Sequence, residues 1–98
     1  MTINKTIDGD KATLELEGRL DTTTSPDLEE SLKDVIGNVN NVTFDFSKLE
    51  YISSAGLRVL LSTHKALAST GKLVITNVNE TVKEVFDITG FADILNIA

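Results

Sequence analysis

Along its first twenty residues the chain alternates apolar with polar positions, the period of a strand that buries one face and wets the other. Ile3, Lys5 and Ile7 oppose Asn4 and Thr6, and Asp8-Gly9-Asp10 follows as a turn, so Thr2 to Ile7 predicts the first arm of a hairpin. Ala12, Leu14 and Leu16 alternate with Thr13, Glu15 and Glu17 and predict the second arm. The spacing then becomes helical. Thr22-Thr23-Thr24-Ser25-Pro26 offers a hydroxyl N-cap and a proline that the first turn of a helix tolerates. Leu28, Leu32, Val35 and Ile36 recur on one helical face and Gly37 stands at the C-cap, which predicts a helix over about 26–36.

The strand–helix alternation then repeats. Val42, Phe44 and Phe46 alternate against Thr43 and Asp45 and predict a third strand, with a loop from Ser47 to Ile52. From Ser54, the positions Leu57, Leu60, Leu61, His64, Leu67 and Ala68 keep helical spacing up to Thr70, before Gly71. Leu73 to Thr76 predicts a fourth strand. Asn79 can cap a helix carrying Val82, Val85 and Phe86 that ends at Gly90, and Phe91 to Leu95 predicts a last short helical turn.

This order predicts an α/β fold: a mixed four-stranded sheet, built from an N-terminal antiparallel hairpin and then parallel βαβ units with right-handed crossovers. Parallel strands covered on both faces read as continuous apolar runs, whereas these alternate with Thr, Asp and Glu. Three to four helices are therefore expected mainly on one face, with Glu15, Glu17, Thr43 and Asp45 on an open one. Glycines 18, 37, 71 and 90 read as turns and caps, and Asp27, Glu29, Glu30 and Asp34 as a solvated helix face.

Composition narrows the chemistry. Ninety-eight residues fit a single domain over 1–98, and a formal charge of -6 argues against nucleic acid or an anionic membrane surface as partner. With no cysteine and one histidine, Cys-based metal sites and His-rich clusters are excluded, and neither a metal nor a cofactor is expected. The polar start and the short apolar runs carry no signal peptide and no spanning segment, so the chain reads as cytoplasmic.

The segment Leu49-Glu50-Tyr51-Ile52-Ser53-Ser54-Ala55-Gly56-Leu57 puts small residues and a glycine at the start of a helix. Unpaired N–H groups and a partial positive charge there accommodate a phosphate, though most serines at such positions simply cap the helix. A serine nucleophile needs a base within about 3 Å. His64 lies roughly 15 Å along the same helix from Ser54, which disfavours a hydrolase built on that pair. No nucleophile elbow and no Gly-rich phosphate loop is present.

Three stretches together resemble the STAS domain of bacterial anti-sigma factor antagonists, also called anti-anti-sigma factors. They are Glu17-Gly18-Arg19-Leu20-Asp21, the run Leu49 to Leu57 with Arg58-Val59-Leu60-Leu61, and Val85-Phe86-Asp87-Ile88-Thr89-Gly90-Phe91. The resemblance spans nearly the whole chain and implies a STAS-like fold without enzymatic activity of its own. It implies phosphorylation on Ser54, with Ser53 as runner-up. Ser53 stands where the family usually has an aspartate, and Ala55 where it often has a second hydroxyl. Asp21 matches the family's loop acid beside the acceptor, and partner docking is expected at Asp21, Ser53, Ser54, Ala55, Gly56 and Arg58.

The implied mechanism is partner switching in transcription regulation. The unphosphorylated protein, a monomer when free, binds an anti-sigma factor that is itself an ATP-dependent serine kinase and so frees the sigma factor. Phosphorylation ends that binding, a phosphatase restores it, and ATP sits on the kinase. The alternative is a STAS accessory subunit of a transporter or of a stressosome-like signalling complex.

Overall fold

The alternating stretches pair as their periods require. A computed structural model describes residues 1–98, and in it β1 (Thr2–Asp8) and β2 (Lys11–Leu20) form the antiparallel hairpin, turning at Gly9 with φ 61°. Helix α1 (Ser25–Lys33) follows, then β3 (Asn41–Ile52), α2 (Ser54–Leu67), β4 (Lys72–Thr76), α3 (Glu80–Thr89), a 3-10 turn (Phe91–Asp93) and β5 (Asn96–Ile97). The sheet runs β1-β2-β3-β4-β5, and every pair after the hairpin is parallel. Each parallel strand lies beside its predecessor, so successive crossovers of one hand lay the helices on one face.

That face is the core. Leu14, Leu16, Phe44, Phe46, Leu73 and Ile75 from the strands meet Leu28, Leu60, Val82 and Phe86 from the helices, all buried. Phe46 lies at its centre, its ring centroid 6.2 Å from Phe44 and 6.5 Å from Phe86 on α3. The opposite face stays open: Glu17 is exposed, Glu15, Thr43 and Asp45 are half-buried, and their side-chain partners come from the strand side. Glu15 takes Lys48 at 3.3 Å, and Asp45 accepts from the Asn77 amide at 3.0 Å and from the Ser47 backbone N–H at 2.9 Å. These bonds, Asn77 first, hold the Asp45 carboxyl below its usual range.

Several boundaries differ from the periodicity. The sheet has five strands, because Asn96 and Ile97 add to β4 opposite Val74 and Ile75; two residues are too few to show a period. Residues 47–52, read above as a loop, continue β3. Register shifts after Glu15 and after Gly18 break the alternation, and the extra residues let Leu49 and Ile52 return to the core. Gly18 lies inside β2, opposite the bulged part of β3, with φ 104°, and is not a cap. Helix α1 ends at Lys33 and α2 at Leu67, each three residues before its expected end, and Val35 enters the core from the turn beyond α1. Gly71 closes α2 through its N–H, which donates to the Leu67 carbonyl at 2.8 Å, but not in the left-handed conformation of a glycine cap: its φ is not positive, and a Cβ there would collide with the Asn40 backbone, whose carbonyl accepts the Lys72 N–H at 3.0 Å. Of the last predicted turn only Phe91–Asp93 is helical.

Because Phe46 joins the strand core to α3, Phe46→Ala should cost about 3–5 kcal/mol. A fall in the urea midpoint beyond that of a surface control such as Lys83→Ala checks this.

Candidate functional site

The carboxyl ends of β2 and β3 stop side by side, with Leu20 paired to Ile52. From there each chain turns directly into a helix. Asp21 organises the first turn: its Oδ1 accepts the backbone N–H groups of Thr23 at 3.0 Å and Thr24 at 3.1 Å. The Thr24 hydroxyl accepts the Asp21 N–H at 2.9 Å and donates to the Arg19 carbonyl at 2.8 Å. The buried Ser25 hydroxyl donates to the Asp21 carbonyl at 2.6 Å. Thr24 occupies the N-cap of α1 without making the expected side-chain capping bond. The Asp21 corner does that work instead.

Those N–H bonds, Thr24 first, lower the Asp21 pKa from its ordinary 3.8, and Arg19 adds a weaker pull from 3.9 Å. Arg19 also lies over the Tyr51 ring, 4.4 Å from its centroid, a cation–π contact that ties the two strand ends together.

The second turn is joined to the first through Leu20, whose carbonyl accepts the Ser53 N–H at 2.9 Å. Gly56 makes the approach possible: a Cβ there would stand 2.8 Å from both Leu20 Cγ and Ile52 Cγ1 and 3.0 Å from the Leu20 oxygen. Ser53 occupies the N-cap of α2, yet its Oγ is buried, makes no hydrogen bond and caps nothing. Ser54, the first helical residue, is exposed.

Asp21, Ser53, Ser54, Ala55 and Gly56 are thereby gathered at one corner. Arg58 lies one turn further along α2, exposed, on a groove of about 520 Å³ between α1 and α2 that also takes in Thr22, Ser25, Ala55 and Ser62. The groove was not foreseen, because which faces of α1 and α2 meet is a tertiary fact. The Thr24–Ser25 network was foreseeable, since Asp followed by threonines is a recognised side-chain-to-backbone turn. His64 is half-buried on α2, and no cluster of three or more His, Asp or Glu side chains is placed to hold a metal ion. No helix is long and apolar enough to cross a membrane.

The STAS domain matches this chain over residues 2–98. The chain belongs to the STAS domain family. Among curated relatives of this STAS domain is the anti-sigma-B factor antagonist of Staphylococcus epidermidis, 35% identical over 82 residues, which cover 82% of this chain and 76% of that protein. Another is BtrV of Bordetella bronchiseptica, whose own assignment as an anti-sigma factor antagonist is provisional. It is 39% identical over 85 residues, covering 85% of this chain and 73% of BtrV. Among solved structures, the anti-sigma factor antagonist SpoIIAA of Bacillus shares the fold in its unphosphorylated form, with TM-score 0.78 and 19% identity over 99% of this chain and 87% of that one. Its phosphorylated form superposes with TM-score 0.77 and 21% identity over 99% of this chain and 91% of that one.

Two variants probe the corner. Gly56→Ala should lower stability, because overpacking of about 1–3 kcal/mol outweighs a helix-propensity gain of at most about 1 kcal/mol; the urea midpoint reads the sign. The lowered Asp21 pKa means that its stabilisation is fully present above 3.8 and is lost as pH falls through the lower folded value. Asp21→Asn, which keeps the acceptor oxygen, should therefore be less stable than the parent at neutral pH. In thermal melts at stepped pH the two should converge below that window.

Proposed function

We propose that this STAS domain is an anti-sigma factor antagonist that works by partner switching, with Ser54 as the residue phosphorylated. The observation that carries the reading is the contrast at the start of α2: Ser54 is exposed, whereas the neighbouring Ser53 Oγ is buried without a partner. A kinase active site must reach the hydroxyl it modifies, and Ser54 offers one on the surface at the start of α2. The names of the curated relatives support the same function.

The chemistry comes from outside the chain. His64, ten residues further along α2, stands roughly 15 Å away at the usual helical rise, so Ser54 has no base of its own and the domain acts as a substrate and binding module, not as an enzyme. In the cytoplasm the unphosphorylated domain binds an anti-sigma factor with serine kinase activity and so releases the sigma factor. The kinase holds the ATP, and a phosphatase resets the switch.

The docking surface comprises Asp21, Ser53, Ser54, Ala55, Gly56 and Arg58. Phosphorylation puts about -1.5 to -2 charges on it. A like charge facing an acidic group across an interface costs several kcal/mol, and each 1.4 kcal/mol is about tenfold in affinity.

Ser54→Ala should fold, resist phosphorylation by the kinase and retain binding. Mass spectrometry finding this variant fully phosphorylated would transfer the role to Ser53. Ser54→Asp carries part of the phosphate's charge and should weaken the complex about tenfold or more; calorimetry showing unchanged affinity would refute the electrostatic switch.

A further inference from the structure

Arg58 is exposed on α2 four residues after Ser54. The molecule's ion pairs engage Lys5, Arg19, Lys33 and Lys48, and the cation–π contact uses Arg19; Arg58 enters none of them. The first turn of α2 contains no acidic residue; across the groove α1 contributes Glu29 and Lys33, and neither forms an ion pair with Arg58. Side chains four apart on a helix have Cβ atoms about 5–6 Å apart, and an anion placed N-terminal to its cation is the favourable order. A phosphate is an especially good partner in that position, since the positive end of the helix dipole and the charge-assisted bonds of a guanidinium act on it together.

We propose that Arg58 pairs in cis with the phosphate of phosphorylated Ser54. Phosphorylation then does two things at once: it charges the start of α2, and it draws the guanidinium away from the α1–α2 groove that Arg58 lines in the unmodified domain. This rests on Ser54 as the acceptor and deepens it, by making Arg58 the residue that couples the modification to the groove. Arg58 is thus a positioning residue for the phosphate.

The test places phosphoserine at position 54 of the full chain by genetic encoding and follows its second ionisation, near pH 6, by phosphorus NMR. Pairing stabilises the dianion, so Arg58→Gln should raise the titration midpoint by about 0.2–0.4 pH unit, the equivalent of one helical ion pair. Arg58→Lys should keep part of the shift, and 1 M salt, with its Debye length of about 3 Å, should shrink it. An identical midpoint for parent and Arg58→Gln at low salt overturns the pairing. Because encoding needs no kinase, that result is distinct from failure of the acceptor assignment, which would appear as kinase-treated parent protein carrying no phosphate on Ser54.

Discussion

At Leu20 a single backbone carbonyl holds two chain turns together. It accepts the Ser53 N–H, and the absence of a side chain at Gly56 lets the first turn of α2 settle against it. Leu20 itself is fully buried, so the junction is anchored in the core while its outer rim carries Asp21 and Ser54. The elements that carry Asp21 and Ser54 are thus fixed by an interaction beneath them. A one-carbon change at Gly56 would move α2 relative to β2 and with it the spacing between the carboxylate and the serine.

The same close packing separates the two serines. Where α2 settles onto Leu20 and Ile52, the Ser53 hydroxyl is buried without a partner and Ser54 stays on the surface. An unpaired buried hydroxyl costs free energy, and the site tolerates it at Ser53. The corner as built keeps the helix start free of acidic groups, leaving its electrostatics to the dipole, to Asp21 and to Arg58.

Placing every helix on one side of the sheet divides the labour between the faces. The helix side holds the aromatic cluster around Phe46 and all the stabilising apolar burial. The other side is wetted, with Glu15 and Asp45 satisfied by Lys48, Asn77 and the Ser47 N–H. The strand ends that carry Asp21 and Ser54 are therefore anchored by the core on the helix side of the sheet.

Local pattern alone determined the hairpin, the three helices, the one-sided sheet and the small-residue helix start, because each follows from side-chain periodicity or from a glycine or capping residue within a few positions. Ala12-Leu14-Leu16 and Val42-Phe44-Phe46 could be read directly in this way. Features that depend on a neighbour's register could not. The outer half of β3 looked like a loop because two bulges against β2 break its period, and β5 exists only because β4 offers a free edge to two residues. Likewise the sequence placed both serines at the start of α2 and pointed to Ser54 by resemblance, but which hydroxyl is buried emerges only where α2 meets the end of β2, with the Ser53 N–H on the Leu20 carbonyl and Gly56 against Leu20, residues thirty-six apart in the chain. Period is a property of one segment, whereas burial at a junction is set by two segments that meet only in the folded chain.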